Sequence, residues 1–255
     1  MSERATPIED EPEREAADAT AADAEGESDG RKPVTTGASS VVRALENVGA
    51  EVAFGVQGGA IMPIYDALFD SSIRHVMMAH EQGASHAADA YGVVADSPGL
   101  CLATSGPGAT NLVTGIADAN MDSDAMLALT GQVPTDMVGS DAFQETDTTG
   151  VTAPITKHNY FASDADTVGD IVGEAWALAD IGRPGPTLVD LPKDVSNDET
   201  AREPGPARPP ETSIPQKEAD PNAVNLAARA IERAEKPVLL FGGGVIKGNA
   251  CETAR

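Results

Sequence analysis

The sequence predicts an α/β protein with a mainly parallel sheet flanked by helices, and three observations predict it. Five short runs, 52–56, 73–78, 100–104, 126–130 and 187–191, are apolar on successive residues, the pattern of strands buried on both faces. Helical periodicity or glycine- and proline-rich stretches separate these runs, so helices cover both sides of the sheet. At 255 residues and 41% hydrophobic composition, the chain can bury one full core and part of a second.

Residues 1–34 combine Glu, Asp, Ala, Ser and Gly with almost no large apolar side chain. They bury too little surface to offset the entropy of ordering and are expected to form a disordered acidic tail. From Gly37 to Val48 the pattern turns helical, with Val41, Val42, Leu45 and Val48 on one face, and residues 35–199 read as one domain. Residues 200–221 are rich in proline and charge and read as an extended linker. Beyond it, 222–234 is an amphipathic helix and 237–241 a buried-type strand running into Gly242, Gly243 and Gly244. Residues 222–255 are thus expected to open a second α/β domain, with the sequence ending inside a larger protein.

Charge narrows the function classes. Asp and Glu number 41 against 17 Lys and Arg, and the net charge of -24 argues against nucleic acid or an anionic membrane as partner. Acids continue inside the folded region at Asp122, Asp124, Asp164, Asp166 and Asp170, a distribution that suggests adaptation to high salt, a halophilic protein. No apolar run approaches the roughly 20 residues of a membrane span, and the N-terminus lacks the layout of a signal peptide. The expected location is cytoplasmic. Cys101 and Cys251 are far apart, and both are expected as buried free thiols.

Several segments place polar or flexible residues at strand ends. Gly55-Val56-Gln57-Gly58-Gly59-Ala60 follows a strand and precedes a helix, and its glycines allow close backbone approach to a ligand or simply a tight turn. His80-Glu81-Gln82-Gly83-Ala84-Ser85-His86 follows the next strand; its histidines are six apart, which fails the His-Glu-x-x-His spacing of a zinc site. A carboxylate there suits a proton relay or a helix cap. Thr104-Ser105-Gly106-Pro107-Gly108-Ala109-Thr110-Asn111 partly imitates a dinucleotide fingerprint, but Asn111 replaces the third glycine. Further polar segments are Gly131 to Pro134, Asp141 to Glu145, Thr156 to Asn159 and Arg183 to Asp194.

Taken in this order, these segments closely resemble the acetolactate synthase (acetohydroxyacid synthase) family of thiamine-diphosphate enzymes, over about Val34 to Lys247 and most specifically over 101–119 and 154–159. The resemblance implies a thiamine-diphosphate pyrimidine-binding domain at 35–199 and the start of an FAD-binding-type domain at 222–255. It implies that Glu81 holds the aminopyrimidine as its imino tautomer, which removes the thiazolium proton. It further implies condensation of two pyruvates, or of pyruvate with 2-oxobutyrate, with loss of CO2 in branched-chain amino acid biosynthesis.

By the same resemblance Gln144 lies beside the cofactor and Phe143 lines the substrate channel. Gly59 and Ala60 lie in a loop over the site, and Lys157 and Lys193 lie near the channel mouth. Ser123, Arg183, Gly242 and Gly243 match FAD contacts. The full enzyme is expected as a homodimer, with a small regulatory subunit as a further partner. The chain departs from the family at Gln57, Asn120, Asp124-Ala125 and after Tyr91, and it lacks the Gly-Asp-Gly motif that would supply the Mg2+ ligands. Two alternatives stay open: a related enzyme of the pyruvate oxidase or carboligase type, and a non-catalytic pyrimidine-type domain that pairs with a full-length homologue.

Overall fold

The structure is a computed structural model and describes residues 32–210 and 219–255, in two units that divide at Ser213. The body of the disordered tail expected at 1–34, and residues 211–218 of the expected linker, fall outside the described residues. Lys32 to Val34 are placed, and Val34 is buried, so order begins before the expected boundary.

The first unit runs α1 (Gly37–Asn47), β1 (Val52–Gly55), α2 (Met62–Phe69), β2 (Arg74–Met77), α3 (Glu81–Ala95), β3 (Gly99–Ala103), α4 (Pro107–Asn111), α5 (Val113–Asp122), β4 (Met126–Gln132), α6 (Thr148–Thr152), β5 (His158–Phe161), α7 (Val168–Asp180), β6 (Pro186–Pro192) and α8 (Lys193–Asn197). Its six strands form one sheet in the order β2-β1-β3-β4-β6-β5, every pairing parallel. The five strands expected from apolar runs are all present. β5 was not expected: His158 and Phe161 are exposed, and an edge strand buried on neither face carries no apolar run.

Alternation within the buried runs sorts the two cores. Leu100, Leu102, Leu127, Leu129, Val189 and Leu191 pack with α1, α2 and α7. Cys101, Ala103, Met126, Ala128 and Leu188 point to the other face and pack with α3 and α5. α1 starts at a Thr36 cap: the Thr36 hydroxyl accepts from Ser39 N while the Ser39 hydroxyl accepts from Thr36 N. The second face is lined by small residues, Ala84, Ala88 and Ala119 among them, so α3 lies close on the sheet.

Asp89 is a buried charged residue of α3. It is 9% exposed, and its Oδ1 has no hydrogen-bond partner. Burial, and then the neighbouring Asp124, Asp118 and Asp122, push its pKa up to about 6. The native state therefore keeps a proton that the unfolded chain gives up near pH 4. The stability this confers is full below about pH 4 and is lost as the pH rises through about 6. Asp89→Asn is expected to gain about 1–2 kcal/mol in urea unfolding at pH 7 and nothing at pH 4. Destabilisation at pH 7 would contradict the assignment.

The second unit holds α9 (Pro221–Arg233), capped by the Asp220 carboxylate on Asn222 N, and α10 (Gly243–Lys247). The strand expected over 237–241 is not formed, because among the described residues no other strand pairs with it. Among the described residues no helix is long and apolar enough to cross a membrane.

Candidate active site

Parallel pairing sends every strand's carboxyl end to one edge of the sheet. β1 leads to β2 on one side and neighbours β3 on the other, so the loops after β1 and β3 diverge there and open a crevice, where such sheets bind ligands. Three of the expected segments meet at this place. Glu81, half-buried, is the first residue of α3, after His80, whose Nδ1 accepts from Gln82 N at 3.1 Å. Asn111 Nδ2 donates to Glu81 Oε2 at 3.0 Å across from α4. A Cβ built on Gly108 would strike Thr104 Cγ2 at 2.7 Å and stand 3.4 Å from Glu81 Oε1, so glycine lets this turn lie against Thr104 beside that oxygen. His80 is thus a helix cap, while His86 Nδ1 pairs with Asp118 at 3.4 Å, and the two histidines do not converge.

The loop after β1 is seated on the β3 turn. Ala60 N donates to Thr104 Oγ1 at 3.2 Å, and a Cβ on Gly58 would strike the Thr104 side chain at 2.5 Å. A Cβ on Gly59 would meet nothing within 4 Å, so this residue borders open space. Gly106 has φ +60 and ψ -120, a conformation for glycine, and its missing Cβ would collide with the Gln144 backbone at 2.5 Å. The turn 106–108 therefore touches Gln144 at one end and borders Glu81 at the other.

Gln144 belongs to a loop after β4 with an unusual backbone. Gly139, Asp141 and Gln144 all have positive φ, which for the two non-glycine residues costs on the order of 1 kcal/mol each. Glu145 offsets this by accepting from the N–H groups of Gly139 and Ala142, and these bonds hold its carboxyl below the usual range. Phe143 is 87% exposed beside it. Lys193 opens α8 directly after β6, on the same edge.

Residues 35–151 match the family described as thiamine pyrophosphate enzyme, N-terminal TPP binding domain. These residues form a domain of the thiamine pyrophosphate enzymes. The chain is 49% identical over 225 residues to the acetolactate synthase large subunit of Corynebacterium glutamicum, covering 86% of this chain and 35% of the relative. It is 46% identical over 220 residues to the probable acetolactate synthase large subunit of Methanocaldococcus jannaschii (85% and 37%). It is 44% identical over 216 residues to the acetolactate synthase isozyme 1 large subunit of Escherichia coli strain K12 (84% and 38%). The chain spans about a third of the length of these relatives.

For a thiamine pyrophosphate enzyme the crevice fits the cofactor's pyrimidine: a half-buried carboxylate stands beside the Gly108 turn, and Gly59 borders open space. Three of the expected site residues stand at the other edge of the sheet, because they precede strands. Arg183 Nε donates to Ser123 Oγ at 2.7 Å and its Nη2 to Asn120 O at 2.9 Å, closing the carboxyl end of α5. Lys157 Nζ donates to Leu178 O and Ile181 O at 2.5 and 2.7 Å, closing the end of α7, and burial pulls its pKa below the ordinary lysine value against Asp180. The arrangement is that of two helix caps. Lys157→Met, which keeps the stem and removes the donors, is expected to cost about 1–3 kcal/mol in urea unfolding. An unchanged midpoint would contradict the cap. Gly242 and Gly243 start α10 in the second unit, with nothing within 4 Å of a built Cβ.

Proposed function

We propose that this chain provides the pyrimidine half of an acetolactate synthase active site, condensing two pyruvates, or pyruvate and 2-oxobutyrate, with loss of CO2. The observation that carries the reading is Glu81, at the crevice of the sheet, with Oε2 held by Asn111 and Oε1 beside the Gly108 turn. Thiamine diphosphate supplies a thiazolium carbon that adds to the first 2-oxo acid and accepts the electron pair left by CO2. Glu81 exchanges a proton with the ring nitrogen of the pyrimidine, and Asn111 keeps the carboxylate from rotating away. The 58–61 loop and the 106–108 turn confine the ring, while Phe143 and Gln144 flank the approach of the 2-oxo acid. Lys193, at the same edge, is placed to attract its carboxylate.

FAD and Mg2+ belong to the proposal for the whole enzyme. Arg183 and Ser123 are committed to the end of α5 and do not favour a role as FAD ligands. A homodimer with a small regulatory subunit in the cytoplasm completes the reading; exposed Val93, Val94 and Met121 on α3 and α5 suit a subunit contact. Grafting residues 35–199 in place of the matching segment of the Corynebacterium glutamicum relative tests it. With thiamine diphosphate, Mg2+ and FAD in high salt, the graft is expected to form acetolactate from pyruvate. A folded graft that binds the cofactor and forms none would refute the reading.

A further inference from the structure

We propose that Asp190 is a positioning residue of this site, acting through Gln132 to fix the loop that carries Phe143 and Gln144. The loop's role in catalysis rests on the function proposed above; its tether to the sheet does not. Thr130, Gln132 and Asp190 have the parity of Ala128 and Leu188, so all three side chains leave the sheet on one face, next to each other on β4 and β6. Asp190 is 1% exposed. Its Oδ1 accepts from Thr130 Oγ1 at 2.7 Å and its Oδ2 from Gln132 Nε2 at 2.9 Å. The same Gln132 nitrogen donates to Thr146 O at 2.9 Å, and Gln132 Oε1 accepts from Val133 N at 2.9 Å.

Both hydrogens of the Gln132 amide are thereby used, and Asp190, Thr146 O and Val133 N together fix which way round it sits. An ionised carboxylate only accepts, so it must face the NH2 end, whose second hydrogen then reaches the Thr146 carbonyl. Asparagine at position 190 has one oxygen where Asp190 offers two, so Thr130 Oγ1 and Gln132 Nε2 would compete for it. Glu145 and Asp147 tie the loop and α6 within themselves, the latter by accepting from Gly150 N. Gln132 is the bond that ties Thr146 to the sheet. The need for it is the strained backbone at Asp141 and Gln144 and the seating of Gln144 on Gly106, next to Glu81's turn. Burial pushes the Asp190 pKa up to about 6 despite the bonds from Thr130 and Gln132, with Asp147 adding to the rise, so this carboxylate is kept at a cost a merely space-filling residue would not carry.

The test is backbone amide hydrogen exchange on the whole chain, for Asp190→Asn, Gln132→Met and the double variant. Each single variant is expected to speed exchange at Glu145 and Thr148 about tenfold, the effect of one net hydrogen bond, while β3 and β4 amides keep their protection. The double variant is expected to match either single one, since both break the same link. An unchanged loop in either variant, loop and sheet loosening together in Gln132→Met, or effects that add would overturn the proposal. Should Asp190→Asn unfold the chain, Gln132→Met decides alone. In the grafted synthase, Asp190→Asn is expected to lower turnover per folded site about tenfold. A graft inactive with Asp190 in place counts against the function and leaves the exchange result standing.

Discussion

In the grafted synthase, Glu81→Gln is expected to lower acetolactate formation by at least about 100-fold, the scale of a lost proton-transfer group. Glutamine has the same shape and its oxygen can still accept from Asn111 Nδ2, so the crevice should keep its form. What it cannot do is take up and return a proton. Glu81 is half-buried at the start of α3, so the unfolding midpoint should move little and the loss should appear in turnover. Retained activity would remove Glu81 from the chemistry and leave the fold and family untouched.

The largest stability effect is expected at Gly99. A Cβ there would stand 1.8 Å from Ala88 O and 2.5 Å from Ala88 C, both backbone atoms of α3. No rotamer relieves such a contact; the helix must lift off the sheet. Gly92 makes the same approach from the helix side, its Cβ position lying 2.8 Å from Gly99 N and 2.9 Å from Ala125 O. Gly99→Ala is expected to cost about 3 kcal/mol or more and to lower the thermal midpoint by several degrees. Because α3 carries Glu81 at its other end, the surviving folded fraction of the graft should also lose activity. Gly59→Ala is the control: nothing lies within 4 Å of its Cβ, and less than about 0.5 kcal/mol is expected. Equal effects at the two glycines would contradict the packing.

Much of this was legible in the sequence because strands buried on both faces write continuous apolar runs, and the glycine turns follow those runs directly. The place of Glu81 at a strand's end was legible for the same reason, while its role came only from the resemblance. β5 was not legible, since an edge strand with exposed His158 and Phe161 carries no such signal. Asp190 stood both inside the run 187–191 and in the polar segment 183–194; only the pairing of β4 with β6 puts it beside Thr130 and Gln132. A charged residue in an otherwise apolar run was the signal that could have found it. Arg183 and Lys157 show what the sequence leaves open. Sequence places a cation near a strand but does not say at which end of the sheet it stands, and both precede their strands, where helix ends need donors.

The most direct test of the central claim is the exchange of the thiazolium C2 proton of bound thiamine diphosphate with deuterium, followed by NMR in the grafted synthase without substrate. Exchange is expected to be at least about 100-fold faster with Glu81 than with Glu81→Gln, the cofactor being bound in both. Equal exchange rates in the two proteins would show that Glu81 does not activate the cofactor.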